Sequence, residues 1–121
     1  MKTKATRSST DTDGPSIRIA WKDSQSILAS WLVTEEYQQE IEQEFSIPFH
    51  ELPLVLRLYD VTYRIEIKND GLDSYTDYDI NYRASNWILY GVMEGCKYCV
   101  DLGIRMVDGR FYSLTRSEIL S

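Results

Sequence analysis

Hydrophobic residues stand at every second position over long stretches of this chain. The clearest stretch is 96–106, where apolar side chains from Tyr98 to Met106 alternate with small or polar ones. A period of two predicts a β-strand with one buried face. Asp108-Gly109 follows with the residues that a tight hairpin turn requires. Residues 110–115 are therefore expected to return as an antiparallel strand.

Shorter stretches of the same alternation recur from residue 17 onward. In 54–60, three leucines share one face, whereas Arg57 and Tyr59 share the other with Val55. Clusters of turn residues, such as those at 69–71, separate several of these stretches. Strands are predicted at 17–21, 26–33, 54–60, 63–67, 77–83, 86–91, 96–106, 110–115 and 117–120.

One segment has the period of a helix instead. Tyr37, Ile41 and Phe45 recur every four residues and would present a narrow apolar stripe to a sheet. Thr34 precedes them as an N-cap residue, and two glutamates follow it where the helix dipole favours negative charge. We predict a short amphipathic helix over about 34–45, followed by a proline-bracketed loop over 46–53.

Eight or nine short strands and one helix favour an antiparallel immunoglobulin-like β-sandwich over an α/β sheet. The 121 residues correspond to one domain, which we place at 15–121. Residues 1–14 are polar and contain no apolar stretch typical of a secretory signal. We predict that they form a flexible tail.

Composition narrows the choice of function. The formal charge is −6, and five glutamates within 35–44 supply most of it. Such a chain is repelled by phosphate backbones, so nucleic acid is not expected as a partner. No stretch approaches the roughly 18 apolar residues of a membrane span, and two closely spaced cysteines fit a reducing cytoplasm. Nine Tyr and three Trp beside one His favour binding over catalysis.

Several ordered motifs are shared with a known family. They are the segments VLRLYDVT at 55–62, Asn86-Trp87, YCVDLG at 98–103, DGRFYSL at 108–114 and Arg116-Ser117. On these motifs the chain resembles the bacterial domain-of-unknown-function family 4912 from about Ile17 to the C-terminus. The segment WLVT at 31–34 resembles the family's early Trp-containing strand. The resemblance transfers no functional residue, since the family has no established activity, cofactor or substrate.

A second resemblance is architectural. The segment MEGCKYCV at 93–100 resembles the beginning of a late strand in immunoglobulin-like and fibronectin type III domains. In those domains a tyrosine hydroxyl bonds back to the backbone of the preceding corner. The resemblance implies that Tyr98 is this corner tyrosine and that Trp31 is the core tryptophan between the sheets.

Groups that could support catalysis or metal binding are few. Cys96 and Cys99 have the C-x-x-C spacing, but residues three apart on a strand point to opposite faces, so we expect no dithiol or zinc site. His50 is the one imidazole and lies in a loop. Asp77 and Asp79 share a strand face, and whether they bind a cation stays open. We expect no metal and no cofactor.

Tyr, Trp and Arg dominate the energetics of binding surfaces because they are rigid and amphipathic. If the leucines of 54–60 and the apolar side chains of 98–106 face the core, the intervening polar and aromatic residues point outward. The candidate binding residues are Arg57, Tyr59, Tyr90, Asp101, Arg105 and Tyr112.

The sequence thus favours a non-enzymatic module of a bacterial cytoplasm that binds a protein partner. The contact surface would be the Tyr/Arg-bearing sheet face or the acidic helix. The alternative is a carbohydrate-binding module, which requires two or three exposed and roughly coplanar rings among Tyr59, Tyr63, Tyr75, Tyr90 and Tyr112. A small hydrolase, the third class, requires His50 or a carboxylate pair in a deep pocket.

Overall fold

A computed structural model describes residues 14–63 and 74–121 of the chain. Within these ranges the chain forms seven strands, one α-helix and one turn of 3₁₀ helix at Phe49–Glu51. The elements are β1 (Ser16–Asp23), β2 (Ser26–Leu32), α1 (Glu35–Phe45), β3 (Leu54–Asp60), β4 (Tyr75–Asp79), β5 (Asn86–Tyr90), β6 (Tyr98–Arg105) and β7 (Phe111–Arg116). No helix in the two described ranges is long and apolar enough to cross a membrane.

The strands form two antiparallel sheets that pack face to face. One sheet has the order β1-β2-β5 and the other has the order β4-β3-β6-β7. The cross-strand pair Leu56 and Leu102 lies at the centre of the four-stranded sheet. Both side chains are fully buried against Ile27 and Leu89 of the opposite sheet. Complete burial of one such side chain stabilises the fold by about 1.5–3 kcal/mol. The predicted antiparallel β-sandwich is confirmed.

The helix closes one end of the sandwich. The Thr34 hydroxyl accepts a hydrogen bond from the Tyr37 amide and caps α1 as predicted. Ile41 is buried against Leu54 and Ile104, at the ends of two central strands. Packing of this apolar stripe, rather than intrinsic propensity, holds so short a helix in place.

Tyr98 is the first residue of β6 and lies next to the corner that precedes this strand. Its hydroxyl accepts a hydrogen bond from the Met93 amide at 3.0 Å, and its ring meets the Trp21 ring edge-on with 6.0 Å between centroids. Burial raises the pKa of Tyr98 above its usual value. Trp31 is buried in the main core between the sheets. The expectations for Tyr98 and Trp31 are therefore confirmed.

Two predicted strands are wrong in extent. The strand expected at 77–83 ends at Asp79, because Asn81 begins a turn in which its carboxamide accepts from the Arg83 amide. The chain crosses to the other sheet there. The strand expected at 117–120 is reduced to a single bridge between Leu120 and Tyr98, because Glu118 and Ile119 do not pair with β6.

Other predictions fall at the margins of the described residues. Tyr63 lies in a turn, and the remainder of the strand expected at 63–67 lies outside the described residues, as does the turn at 69–71. The polar tail lies outside them except for Gly14. The hairpin between β6 and β7 is confirmed: Gly109 has a φ of 92°, and the Asp108 carboxylate accepts from the Arg110 amide.

Candidate functional site: the polar face of the four-stranded sheet

Four of the six predicted binding residues lie together on the outer side of the four-stranded sheet. Arg57 and Tyr59 are on β3, Asp101 and Arg105 are on β6, and Arg57 is directly opposite Asp101. We call this surface the polar face. It consists of Arg57, Tyr59, Tyr75, Asp77, Asp79, Asp101, Arg105, Phe111 and Arg116.

A buried carboxylate lies at the centre of the polar face. Asp101 is 1% exposed, and Arg116 of β7 binds it bidentately with N–O distances of 2.7 and 2.9 Å. The Tyr59 hydroxyl donates a third hydrogen bond at 3.0 Å. Burial, together with the Asp101 charge, raises the pKa of Tyr59 to about 12. The bond to Asp101 likewise raises the pKa of Arg116. The phenol therefore stays protonated and the guanidinium charged at neutral pH.

The guanidinium of Arg57 lies between two aromatic rings. Its carbon is 3.9 Å from the ring centre of Tyr75 and 4.1 Å from that of Phe111. Asp77 binds the same guanidinium bidentately at 2.7 and 2.9 Å and raises its pKa. Cation–π contacts of such desolvated groups contribute up to about 2 kcal/mol each. The two rings, the Arg57 guanidinium and the Asp77 carboxylate thus hold one another in place.

Gly103 makes this stacking possible. The ring of Phe111 occupies the space in which a side chain at 103 would lie. A Cβ built there would approach the ring closely and would also lie 2.5 Å from the backbone oxygen of Tyr112. Glycine at this position is therefore what lets the first residue of β7 reach across to Arg57.

Arg105 extends the network to β4. It contacts Asp79 at 2.6 Å and Asp77 at 3.4 Å, and the bond to Asp79 raises its pKa. Three guanidinium groups thus neutralise three carboxylates across the face. Asp77 and Asp79 are paired with Arg57 and Arg105, and no cluster of metal-ligating residues is found over 14–63 and 74–121.

The expectation that Tyr59 and Asp101 face solvent is wrong. Tyr59 is 4% exposed and Asp101 is 1% exposed. Strand alternation correctly places both on the outer side of the sheet, but Arg116 and Tyr75 from the flanking strands lie over them. Alternation determines the side of a sheet and does not determine what covers that side.

Phe111 and Arg116 were not predicted as members of this face, and Tyr75 and Asp77 were considered only for sugar and cation binding. Two signals were present in the sequence. Charged residues alternate along β4, and counting residues outward from the Asp108-Gly109 turn predicts which residue of β7 pairs with Asp101. That count would have placed Thr115 opposite Asp101, because the hairpin pairs Ile104 with Tyr112. A bulge between Leu102 and Gly103 shifts the register by one residue and brings Arg116 to Asp101 instead.

Residues 15–121 match the sequence model of a family described as a domain of unknown function, DUF4912. The chain belongs to this family. The motifs at 55–62, 98–103 and 108–114 that resemble the family therefore coincide with the strands that form the polar face of this DUF4912 domain. No curated protein matches the chain in sequence.

Two solved fibronectin type III domains are similar in structure. An FN3 domain of human collagen XX has a TM-score of 0.51 and 14% identity, with 88% of each chain covered. The third fibronectin III domain of human KIAA0343 protein has a TM-score of 0.51 and 10% identity, with 99% of this chain and 88% of that chain covered. The fold of this DUF4912 domain is thus fibronectin III-like.

The remaining two predicted binding residues lie elsewhere on the DUF4912 domain. Tyr90 is 66% exposed and lies on β5 of the other sheet. Tyr112 packs edge-on against Phe45 of α1 at 5.2 Å. Tyr59 is buried and its ring is inclined 69° to that of Tyr75, so this pair of rings does not form the coplanar platform that a sugar ring requires.

The cysteines and the histidine are also separated in this DUF4912 domain. Cys96 packs against the main core, whereas Cys99 is buried beside Tyr59 on the opposite side of the sheet. Both are free thiols, and burial raises the pKa of Cys99 to about 11. The expectation that they do not meet is confirmed. His50 is 56% exposed, with its imidazole 3.7 Å from the Glu51 carboxylate.

Proposed function

We propose that this domain is a non-enzymatic module that binds a protein partner through the exposed part of its polar face. The partner contacts would be the ring of Tyr75, the guanidinium of Arg105 and the carboxylate of Asp79. These three groups lie around the less exposed side chains of Arg57 and Asp101. Two free thiols fit a reducing compartment, and we propose a cytoplasmic location.

The stacking of Arg57 between Tyr75 and Phe111 is the observation that supports this proposal. Tyr75 is 47% exposed although Arg57 packs against one side of its ring. Side chains that are immobilised before binding lose little rotamer entropy when a partner arrives, and each such saving is about 0.5–1.5 kcal/mol. Tyrosine and arginine beside each other are also the residue types enriched in binding hot spots.

The electrostatics of the polar face support a protein partner over an ionic ligand. Its three guanidinium groups and three carboxylates balance, and each has a partner within the face. A face of this kind offers both donors and acceptors to a polar protein surface. Fold likeness alone does not establish function, so the proposal depends on these side chains.

Affinity capture with matched variants tests the proposal. The full chain and the variants Tyr75→Ala and Tyr90→Ala are immobilised and exposed to lysate of the source cells. The two variants are matched because each removes an exposed tyrosine from an edge strand. We expect that the wild type and Tyr90→Ala retain a partner and that Tyr75→Ala loses it. Retention by Tyr75→Ala, or capture of nothing by the wild type, contradicts the proposal.

A further inference from the structure

A second surface lies beside α1 and involves neither Tyr75 nor Arg105. A cleft of about 270 Å³ lies between the end of α1 and the β6–β7 hairpin and is lined by Glu44, Phe45, Met106, Arg110, Phe111 and Tyr112. Phe111 is the one lining residue that also belongs to the polar face. We call it the helix–hairpin cleft. Its volume is below the roughly 300–1,000 Å³ of pockets for drug-sized ligands. It is large enough for an individual apolar side chain.

The walls of the helix–hairpin cleft are apolar and partly held in place. The rings of Phe45 and Tyr112 meet edge-on at 5.2 Å, and Met106 packs against the same satellite core as Phe45. Tyr112 remains 38% exposed. Methionine beside aromatic rings is adaptable in shape and favours contact with varied apolar side chains.

The charge around the helix–hairpin cleft is negative. No Lys or Arg occurs between Lys22 and Arg57. Glu44 lies 3.5 Å from the Tyr112 hydroxyl at the cleft rim. Burial raises the pKa of the adjacent Tyr37, and the charges of Tyr112, Glu40 and Glu44 add to the shift.

Two further features strengthen this negative field. The C-terminal end of α1 lies at the cleft, carries a partial negative charge and has no basic residue in its last turn. Arg110 itself lines the cleft, and the Asp108 carboxylate pairs with it at 2.7 Å. The cleft therefore has an apolar interior and an anionic rim.

We propose that the helix–hairpin cleft binds a basic protein segment that inserts one apolar side chain. Leucine, methionine or phenylalanine would fill the space between Phe45 and Met106. Lysine or arginine on either side of it would meet Glu44 and the end of α1. The inference rests on the proposed function in that the partner is a protein, but it uses residues distinct from Tyr75 and Arg105.

A displayed library of random peptides, selected against the full chain, tests this inference. We expect enriched peptides to carry Lys or Arg flanking one large apolar residue. Binding of a synthetic enriched peptide, measured by fluorescence polarisation, is expected to weaken about tenfold or more in Glu44→Lys and in Met106→Glu. It is expected to change little in Glu94→Lys, which makes the same charge change at an exposed site away from the cleft.

The controls separate the two proposals. Glu44 is exposed, so Glu44→Lys keeps the fold even if Met106→Glu does not, and circular dichroism checks both. Enrichment of acidic peptides, enrichment of none, or equal weakening by Glu44→Lys and Glu94→Lys overturns the inference. Tyr75→Ala is expected to keep the peptide and lose the polar-face partner, so failure at one surface is distinguishable from failure at the other.

Discussion

Replacing Asp101 by asparagine tests whether the buried carboxylate stabilises the polar face. Asp101 accepts two hydrogen bonds from Arg116 and one from Tyr59. Asparagine keeps the shape but removes the charge and turns an NH₂ group toward donors. Removing one partner of a buried ion pair costs about 3–5 kcal/mol. Because the Arg116 side chain is 25% exposed, water compensates in part, and we expect about 3 kcal/mol.

Urea unfolding followed by tryptophan fluorescence measures this loss. Trp31 lies in the core, and Trp21 and Trp87 pack against it, so their emission reports unfolding. With an m-value of about 1.5 kcal/mol per molar, 3 kcal/mol corresponds to a midpoint shift of roughly 2 M. That is a large fraction of the about 5–15 kcal/mol by which domains are stable.

The exposed ion pair in the hairpin provides a matched control. Asp108 and Arg110 are also 2.7 Å apart, but their side chains are 54% and 80% exposed. Asp108→Asn makes the same chemical change and is expected to leave the urea midpoint nearly unchanged, because an ion pair exposed to water contributes little. The double variant Asp101→Asn with Arg116→Met should recover part of the loss, since it leaves no unpaired charge. Equal costs for Asp101→Asn and Asp108→Asn, or additive losses in the double variant, would refute the reasoning.

Three further outcomes are expected from the same unfolding assay. Gly103→Ala should lower the free energy of unfolding by about 1–3 kcal/mol, because the added methyl group overpacks against the Phe111 ring. Gly14→Ala, where an added Cβ makes only ordinary contacts, should not lower it. An unchanged midpoint for Gly103→Ala would contradict the close approach. Tyr98→Phe should cost about 1 kcal/mol through loss of the corner hydrogen bond, and no loss would show that the bond contributes nothing. Stability should fall as pH rises from about 10 to 12, because tyrosine ionises in the unfolded chain while Tyr59, with its pKa raised to about 12, stays protonated. Tyr59→Phe should reduce that fall, and an identical pH dependence in this variant would argue against the assignment.

Local patterns in the sequence determined most of the elements. Alternation located six of the nine predicted strands closely, and the Asp108-Gly109 pair located the hairpin. Period-four spacing located α1 within a residue or two, because burial of one stripe requires that spacing. Tyr98 was identifiable from its place at the start of a late strand. The ends of the strand at 75–79 were not, since they depend on where the chain leaves one sheet for the other.

The sequence by itself determined which side of a strand each residue occupies, and tertiary structure decided what each residue meets there. Arg57, Tyr59 and Asp101 were correctly placed away from the core, because side chains alternate along a strand. Their burial depends on Arg116 and Tyr75, which come from the neighbouring strands β7 and β4 of the same sheet. A single bulged residue selected Arg116 rather than its neighbour. Alternation along one strand does not encode the register between paired strands, which a single bulge can shift by one residue.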